Sequence, residues 1–497
     1  MNAISSALAK AAGDIELFSR YILKRSLREY QVAPARAVIA SAIRHDGEQY
    51  VWRFPRQSGK NETLAHVQLY LLFLFQRVKG ASIVHTAPTF DPQCRNAMRR
   101  IAELSDGNVF LEALEVSGNV IRLGRARAIY LSGQERDRPN VGSTASLLLC
   151  KDECQDLNQS YVERAFDPMT ADTNAPHVHT GTARHDGTYL ALKRQELETL
   201  SAQDGRQRVF IINWRDVARV NEAYGRMVQA AIRRKGAQHP VILSEYENIE
   251  SERTGRLFDD RRIALIFNAA TPPARCYAPL PGQRTVITID VGGTSPASGN
   301  DGNHDMTVAS VHRIDDAGGL PGYTTIDQFA LAGANVLDDT TDRQRLFGFL
   351  DLWQPLRIVV DATGLGVGLA SALARHWRAR VVPFRFSAAS KTQLLNDWLA
   401  LIETGRYKHY RDDSVDCQRF IRQLEKCEHT PHGAMLQWGI PAHVTWRHPI
   451  TLADEPLHDD HLISAALVAA LRDGDALPRE AVSQPAARRL RRAHEDD

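Results

Sequence analysis

The chain has 497 residues, more than one hydrophobic core ordinarily accommodates, so at least two domains are expected. A hydrophobic fraction of 43% and a charged fraction of 24% are typical of a globular protein, and six irregularly spaced cysteines exclude a disulfide-framed fold and predict free thiols. The net charge of +2 does not by itself indicate a nucleic-acid partner, and the sequence predicts neither a signal peptide nor a membrane-spanning segment.

The first half of the sequence alternates strand-like apolar runs with helical runs, as a parallel α/β sheet requires. A helix is predicted over Thr63–Phe75, and a hairpin is predicted from Val120–Leu123 and Ala128–Ser132. The strands of the sheet are predicted at Tyr50–Phe54, Ala81–His85, Ser146–Cys150, His177–Gly181 and Arg208–Asn213. This alternation predicts an α/β domain.

A phosphate-binding loop is predicted between the first strand and the helix that follows it. Backbone N–H groups and the helix N-terminus would face the phosphates of a nucleotide there. The match to a glycine-rich loop is incomplete, because Arg53 stands at the first glycine and Asn61 replaces the usual Ser or Thr. Asn61 can still reach Mg²⁺ through its amide oxygen or a bridging water. The other candidate nucleotide contacts are Arg56, Gln57, Ser58, Gly59 and Lys60.

Two consecutive acids, Asp152 and Glu153, follow the apolar run Leu147–Cys150. Such a strand end places Asp152 to hold Mg²⁺ and leaves Glu153 to orient or deprotonate the attacking water. The alternative is a solvated strand end, which Lys151 slightly favours because it interrupts the apolar run. Together with the phosphate loop upstream, the acid pair predicts an ATPase site.

The pattern restarts after a Pro-rich stretch, Thr271–Gly282, which marks a linker. Strands are predicted at Thr285–Asp290 and Arg357–Asp361, and each of them ends in an acid. Thr307–Val311 is predicted to pair back on the first of these as a hairpin, and an apolar helix is predicted over Leu462–Leu471. The chain therefore contains a second α/β domain.

Four acids of the second domain are candidate metal ligands: Asp290, Asp361, Asp459 and Asp460. Strand ends and a helix start can converge in space, and the gathered carboxylates would repel one another unless divalent cations neutralised them. Two metals about 4 Å apart clamp the attacking and leaving oxygens of a phosphodiester. The alternative for each acid alone is a solvated strand end. Their order predicts a metal-dependent nuclease, with the choice between Asp459 and Asp460 left open.

The combination of the two sites resembles the large terminase subunit of tailed bacteriophages, a DNA-packaging ATPase joined to a nuclease. Its phosphate loop has the form Arg-Gln-x-Gly-Lys, matched here by Arg56, Gln57, Gly59 and Lys60. Asp152 with Glu153 matches its second motif, and Asp290, Asp361 and the Asp459-Asp460 pair match the acids of its nuclease. The resemblance extends over roughly residues 27 to 471.

The resemblance also implies roles for residues that the pattern alone does not single out. Gln31 would read the adenine edge, and Thr182, in a Thr-Gly-Thr segment, would belong to the coupling motif that senses the γ-phosphate. Arg138 would be the cation supplied to a neighbouring subunit's site, with Arg136 as the other candidate. Asp305 would be an auxiliary metal ligand of the nuclease.

The fold implied is an N-terminal P-loop (RecA/ASCE-like) ATPase domain followed by a C-terminal RNase H-like nuclease domain. The ATPase domain would cover residues 1–268, with a small lid near residues 215–265, and a linker would cover residues 269–284. The nuclease domain would cover residues 285–475, and a flexible basic tail would cover residues 476–497.

The resemblance implies ATP with Mg²⁺ at the first site and two Mg²⁺ or Mn²⁺ ions at the second. The expected partners are double-stranded DNA, a portal protein of the procapsid, a small terminase subunit and a homo-oligomeric ring, expected to be a pentamer during packaging. A monomer in solution stays open, and no membrane is expected. The expected location is the host cytoplasm, with transient docking on the procapsid.

Two other functions fit parts of the sequence. A helicase or translocase with a nuclease domain would share both chemistries, but later helicase motifs, such as an arginine-rich segment on a second RecA-like domain, are not recognisable. A nucleic-acid-binding module with vestigial sites would share the folds and would lack ATP hydrolysis.

Overall fold

The computed structural model describes residues 11–134, 143–252, 255–268, 270–292, 306–317, 319–331, 340–432 and 435–471. The chain divides into two units, Met1–Gly255 and Arg256–Asp497. In the part of the chain that is described, no helix combines the length and the apolar composition needed to cross a membrane. All six cysteines are free thiols, as predicted.

The first unit alternates helices and strands along the chain. Its α-helices are α1 (Ile15–Leu17, continued by a π-helical turn over Phe18–Ile22), α2 (Glu29–Arg44), α3 (Lys60–Phe75), α4 (Arg95–Ser105), α5 (Gln159–Ala165), α6 (Tyr189–Asp204), α7 (Trp214–Val220), α8 (Glu222–Lys235) and α9 (Pro240–Glu245). Its strands are β1 (Gln49–Arg53), β2 (Ser82–Ala87), β3 (Leu114–Ser117), β4 (Val120–Leu123), β5 (Ala126–Ser132), β6 (Leu148–Lys151), β7 (His177–Gly181) and β8 (Val209–Ile211). A two-residue strand, β9 (Gly255–Arg256), lies at the division between the units.

The sheet of the first unit has the strand order β3-β4-β5-β2-β6-β7-β1-β8. The six strands from β5 to β8 in this order are all parallel, and β3 and β4 add an antiparallel edge. Strand β7 lies between β1, which leads into the phosphate loop, and β6, which ends next to the acid pair. This insertion is the strand order of RecA/ASCE-like folds, so the predicted fold class is confirmed.

Helices cover both faces of this sheet, because successive side chains of a strand point to opposite faces. Tyr50 and Trp52 of β1 lie in the core formed with α2, α3 and α4. Val51, between them, lies in the second core, formed with α5 and α6. The phosphate loop that follows β1 is therefore held from two packed layers.

The second unit contains a smaller mixed sheet and its own helices. The α-helices are α10 (Asp260–Phe267), α11 (Thr340–Trp353), α12 (Gly366–Trp377), α13 (Ala388–Glu403), α14 (Val415–Lys426) and α15 (Asp460–Ala466, continued by a 3₁₀ turn over Leu467–Ala470). The strands are β10 (Thr285–Asp290), β11 (Thr307–Asp316), β12 (Pro321–Leu331), β13 (Ile358–Asp361), β14 (Val381–Phe384), β15 (Tyr407–His409), β16 (Glu428–His432), β17 (Met435–Gly439), β18 (Thr445–Arg447) and β19 (Asp454–Pro456).

The main sheet of the second unit has the order β14-β13-β10-β11-β12-β15. Strands β10, β11 and β12 form an antiparallel meander, and β13 and β14 continue the sheet parallel to β10 on its other side. A three-stranded meander extended by parallel strands beside its first strand is the RNase H-like topology. The second predicted fold class is therefore also confirmed.

The predicted strands of both units are present with ends shifted by at most two residues, except that β11 continues beyond Val311 to Asp316. The division between the units lies before the predicted domain boundary at residue 268. Phe258 and Phe267 explain this difference, because both pack in the core of the second unit with Trp398. Residues 270–284 form no helix or strand, as expected of the Pro-rich stretch, but they belong to the second unit.

Candidate functional site

The phosphate loop makes a tight turn between β1 and α3. Gln57 and Gly59 have positive φ angles, of 60° and 92°. A Cβ atom on Gly59 would lie 2.6 Å from Gln31 Nε2, so this position requires glycine for both its conformation and its space. The turn ends on Lys60, the first residue of α3, which places the loop amides and the helix N-terminus around one cavity.

Gln31 braces this loop. Its Nε2 donates to the carbonyls of Gly59 at 3.1 Å and Ser58 at 3.4 Å, and its Oε1 accepts from the backbone N–H of Arg28 at 2.8 Å. The side chain is buried, and both ends of its amide are engaged. These contacts fix the loop to the start of α2 and do not turn the amide toward a nucleotide base, so the adenine-reading role stays a prediction.

Arg53 stands where a glycine-rich loop would have its first glycine. The loop accommodates it because its side chain contacts residues outside the loop. The buried guanidinium pairs with Glu250 at 2.6 Å and donates to the carbonyl of Asn248. The Asn248 amide in turn donates to the backbone carbonyls of Arg53 and Ile212. The departure from the glycine-rich pattern therefore supplies a buried anchor for the strand end.

Lys60 joins the loop to the acid pair at the end of β6. Its Nζ lies 2.7 Å from Asp152 Oδ1 and 2.5 Å from Glu153 Oε1. Burial opposes the charge on Lys60, but the two carboxylates overcome it and raise its pKa. Burial likewise opposes ionisation of Asp152, and the charge of Lys60 lowers its pKa. The three side chains form one cluster of oppositely charged groups.

The strand between β1 and β6 is tied to the same cluster. Thr180 Oγ1, on β7, donates to Asp152 Oδ1 at 2.6 Å. Gln155 Nε2 donates to Glu153 Oε2 at 2.6 Å, and its Oε1 accepts from the backbone N–H of Thr182 at 3.3 Å. The acid pair is therefore connected to the predicted coupling motif through two separate hydrogen-bonded paths.

A cavity of about 600 Å³ contains most of the predicted nucleotide contacts. Asn61 lines it, and its Oδ1 is buried with no hydrogen-bond partner among the described residues. An unsatisfied oxygen at the position of the usual Ser or Thr fits an Mg²⁺ ion or its coordinated water. The remaining lining residues are Phe54, Pro55, Arg56, Gln57, Ser58, Gly59, Lys60, Arg100, Glu153, Gln155, Asp156, Thr182, Arg184 and Glu245.

Several of these residues were not predicted from the sequence. Gln155 and Asp156 directly follow the acid pair, and Arg184 follows Thr182 by two positions, so proximity to the two motifs was the available signal. Arg100 lies on α4 and pairs with Glu62 at 2.7 Å, a contact that no local pattern indicates. Arg136 and Arg138 lie outside the described residues, so the cation from a neighbouring subunit stays a prediction.

The second unit places the acidic start of α15 beside the end of β10. Thr288, on β10, donates to a carbonyl of α15 at 2.6 Å and so fixes the helix across the sheet. The N–H of Met306 donates to Asp460 Oδ2 at 3.2 Å, and Val308, two residues later, pairs with Asp290 in the antiparallel register. Asp460 therefore lies close to Asp290 at the carboxyl end of β10.

Asp459 is oriented differently from its neighbour. It is the N-cap residue of α15, and its Oδ2 lies 3.6 Å from Lys391 Nζ. That ammonium lies 5.1 Å from the centroid of the Trp438 ring. Lys391, a single lysine in the first turn of α13, was not predicted from the sequence. Asp459 is therefore paired with a cation, Asp460 lies close to Asp290, and the choice between them as metal ligand stays a prediction.

A buried glutamine contacts the backbone on both sides of the turn that contains Asp459 and Asp460. Gln423, on α14, donates through Nε2 to the carbonyl of His458 at 2.7 Å and accepts at Oε1 from the N–H of Leu462 at 2.9 Å. The two contacts lie on either side of Asp459 and Asp460. Gln423 therefore positions both acids without touching either carboxylate.

Asp361 ends β13 next to β10. Its Oδ1 accepts from the backbone N–H of Thr363 at 2.8 Å, and burial raises its pKa. A Cβ atom on Gly366 would lie 2.1 Å from the carbonyl oxygen of Asp361, so the start of α12 approaches this strand end as only glycine allows. Asp305, the predicted auxiliary acid, lies outside the described residues.

The electrostatics of Asp290 connect it with the three other candidate acids. Burial raises the pKa of Asp290 well above its usual range, and the charges of Asp460, Asp459 and Asp361 raise it further, while Lys391 lowers it. Carboxylate oxygens are the donors that Mg²⁺ and Mn²⁺ prefer, and a divalent ion would offset the charges that disfavour ionisation of Asp290. Among the described residues, however, no three acidic, His or Cys side chains are close enough together to hold a metal ion. Cation binding would require these side chains to move toward one another.

Comparisons with known proteins identify similar solved structures. No model of a protein family matches the chain, and no curated protein matches it. The large terminase of a thermophilic bacteriophage is 10% identical, with 90% of this chain and 98% of that one aligned at a TM-score of 0.47. The large terminase of bacteriophage HK97 is 13% identical, with 93% and 99% aligned at 0.40. A magnesium-bound large terminase nuclease of a thermophilic phage is 18% identical, with 39% and 84% aligned at 0.28. Similarity at this level does not by itself establish a shared activity.

Proposed function

We propose that this chain is the motor subunit of a viral DNA-packaging machine of the large terminase class. The first unit would hydrolyse ATP to drive double-stranded DNA into a procapsid, and the second would cut concatemeric DNA with divalent metal ions. The observation that carries the proposal is the pairing of Lys60 with both Asp152 and Glu153 at the carboxyl edge of a RecA/ASCE-like sheet. The position of Asp290 close to Asp460 in the RNase H-like unit, where the charges of Asp459 and Asp361 also act on it, supports the second half of the proposal.

The contacts of the first site support a specific task for each residue. On nucleotide binding, Lys60 would exchange its carboxylate partners for the phosphate oxygens, which carry more charge. Asp152 and Asn61 would hold Mg²⁺, which offsets the charge of the triphosphate. Glu153, released from Lys60 and still held by Gln155 at 2.6 Å, would orient and deprotonate the attacking water.

The second site would perform phosphodiester hydrolysis. Asp290, Asp361 and Asp460 would hold the divalent ions, which supply Lewis-acid stabilisation of the attacking and leaving oxygens when bound. Gln423 would keep the acidic turn of α15 in place, and the burial of the cluster would strengthen its attraction for cations. DNA, the portal protein, the small subunit and the ring are the partners that the packaging function requires.

The direct test measures both activities in one preparation of the purified full chain. Release of phosphate from ATP and linearisation of supercoiled plasmid are expected in Mg²⁺ or Mn²⁺, and EDTA should abolish both. ATP hydrolysis without plasmid cutting in either metal would contradict the nuclease half of the proposal. A protein that binds DNA but performs neither reaction would be a nucleic-acid-binding module with vestigial sites.

Asn61 offers a test of the Mg²⁺ position. Asn61→Leu removes the unsatisfied oxygen at nearly constant size, so the Mg²⁺ concentration for half-maximal ATP hydrolysis should rise by roughly tenfold, the equivalent of about 1.4 kcal/mol. Asn61→Ser, which provides the usual hydroxyl, should stay near wild type. Steady-state phosphate release across an Mg²⁺ titration measures both. Equal Mg²⁺ dependence in all three proteins would show that Asn61 does not face the ion.

Arg138 offers a test of assembly. If it acts across a subunit boundary, the isolated monomer should hydrolyse ATP slowly, because the developing phosphoryl charge lacks its cation. Mixing Arg138→Ala subunits with Glu153→Gln subunits should then restore part of the activity, since mixed interfaces contain one intact site. Phosphate release from oligomers verified by light scattering is the measurement. No recovery in such oligomers would exclude action of Arg138 in trans.

A further inference from the structure

Arg184 is a cation of the nucleotide cavity that the scheme above leaves without a task. It follows the carboxyl end of β7 and lines the cavity with Lys60, Glu153 and Thr182. Its Nη1 lies 2.6 Å from Asp156 Oδ1, and the two side chains are 31% and 29% exposed. The ion pair is therefore partly open to the space that a nucleotide would fill.

Asp156, the partner of Arg184, is connected by hydrogen bonds to the proposed catalytic carboxylate of Glu153. Gln155 Nε2 donates to Asp156 Oδ2 at 3.4 Å as well as to Glu153 Oε2 at 2.6 Å. Burial raises the pKa of Asp156, and the nearby charge of Glu153 raises it further, while Arg184 lowers it. Arg184 thus pairs with a carboxylate in surroundings that disfavour its charge, and a stronger anion can compete for the guanidinium.

The backbone of this segment is fixed while the side chain is not. The carbonyl of Arg184 accepts from the N–H of Ser251 at 2.8 Å, and the N–H of Ala183 donates to Asn248 Oδ1 at 3.4 Å. The main chain is therefore held by residues other than Asp156. A change of partner at Arg184 requires only rotation of its side chain.

We infer that Arg184 is a sensor in cis for the terminal phosphate of a bound nucleoside triphosphate, and that its guanidinium leaves Asp156 to bind that phosphate. A phosphate carries more charge than a carboxylate, and the planar fork of arginine donates to it through two parallel hydrogen bonds. This inference rests on the proposed ATPase function. It adds a residue that distinguishes a triphosphate from a diphosphate within one subunit, separately from any cation supplied in trans.

The exchange also has a consequence for the acid pair. When Asp156 loses Arg184, its remaining side-chain partner in the described structure is Gln155, the residue that bridges Glu153 and Thr182. Arrival of the terminal phosphate would therefore change the hydrogen bonding of Gln155. Through the amide of Gln155, binding of the phosphate by Arg184 would affect both the catalytic carboxylate of Glu153 and the coupling motif.

The first arm of the test compares ATPγS and ADP by isothermal titration calorimetry on the full chain in Mg²⁺. Arg184→Ala should weaken ATPγS binding by about 10- to 100-fold, the range for a hydrogen bond between charged groups, and should change ADP binding by less than about threefold. Arg95→Ala is the matched control, because Arg95 also forms one exposed ion pair, with Asp91 at 3.0 Å, and does not line the cavity. It should leave both affinities unchanged.

The second arm uses Asp156, for which a sensor and a structural ion pair predict opposite signs. Asp156→Asn should strengthen ATPγS binding in the wild-type background, because the guanidinium no longer has a competing partner. Most of that gain should vanish in the Asp156→Asn, Arg184→Ala double variant, since the cycle isolates the coupling between the two residues. A structural pair would instead lower the affinity in both single variants.

The outcomes separate this inference from the proposed function. Wild-type protein that binds neither nucleotide would overturn the ATPase proposal itself. Wild-type discrimination between ATPγS and ADP that persists in Arg184→Ala would overturn only the sensor. An equal loss of affinity for both nucleotides in Arg184→Ala would also overturn only the sensor. If Arg184→Ala fails to fold, Asp156→Asn and Arg184→Lys still show whether loss of the ion pair strengthens or weakens ATPγS binding.

Discussion

Glu153→Gln is expected to lower ATP hydrolysis by roughly 100-fold or more while leaving ATPγS binding and plasmid cutting near wild type. The substitution keeps the size of the side chain and removes the carboxylate that would deprotonate the attacking water. Phosphate release, calorimetric binding and plasmid linearisation measure the three properties in one preparation. Glu103→Gln, in an exposed ion pair with Arg99 on α4, is the matched control.

Lys60→Ala should also abolish ATP hydrolysis, but for a different reason from Glu153→Gln. Lys60 is nearly buried between Asp152 and Glu153, so its removal leaves two carboxylates without their cation. Breaking a buried pair in this way costs about 3–5 kcal/mol, so the variant should also lose nucleotide binding and thermal stability. Loss of plasmid cutting in folded Glu153→Gln protein would show that the two activities are not separable. ATP hydrolysis at the wild-type rate by Glu153→Gln would show that Glu153 has no catalytic role.

Asp290→Asn is expected to lower plasmid cutting by roughly 100-fold or more and to leave ATP hydrolysis unchanged, because the substitution removes a charge that offsets the divalent ions. Wild type should gain thermal stability from Mn²⁺ by mass action, and the variant should lose most of that gain. Asp413→Asn, an exposed acid before α14, is the matched control and should behave as wild type. An equal Mn²⁺ shift in all three proteins, or undiminished cutting by Asp290→Asn, would contradict the site.

The same variant should remove a loss of stability that wild type shows in EDTA as the pH rises. The pKa of Asp290 lies well above its usual range, so the folded metal-free domain retains a proton that the unfolded chain releases. The free energy of unfolding therefore falls as the pH rises from the usual Asp pKa toward the raised one. Asp290→Asn removes this loss and should be more stable than wild type at pH 8, with the difference shrinking as the pH falls toward about 4. A salt-bridged structural aspartate would give the opposite sign.

The parts of the fold that could be predicted are those encoded by local pattern. The strand ends at Arg53, Asp290 and Asp361 follow apolar β-prone runs, and burial within a sheet imposes such runs. The two units divide before the predicted boundary at residue 268, because Phe258 and Phe267 pack in the core of the second unit with Trp398, far away in the sequence. Packing between distant segments leaves no periodic signal, so the sequence alone cannot show to which unit such residues belong.

The candidate sites show the same limit. Lys60, Asp152 and Glu153 were predicted from strand–loop–helix context, and the structure brings the three side chains together. Lys151 weakened the prediction as a charge within an apolar run, yet it is fully buried against Asp167 and the hydroxyl of Tyr189. A single sequence cannot reveal which distant partner neutralises a buried charge.

The most direct measurement is anomalous diffraction from Mn²⁺ in crystals of the full chain grown with ATPγS. The expected result is Mn²⁺ between the nucleotide phosphates and the side chains of Asp152 and Asn61, with separate Mn²⁺ density among Asp290, Asp361 and Asp460. Nucleotide bound away from Lys60, or Mn²⁺ absent from both clusters in crystals that contain the metal, would contradict a protein with two metal-dependent phosphoryl-transfer sites.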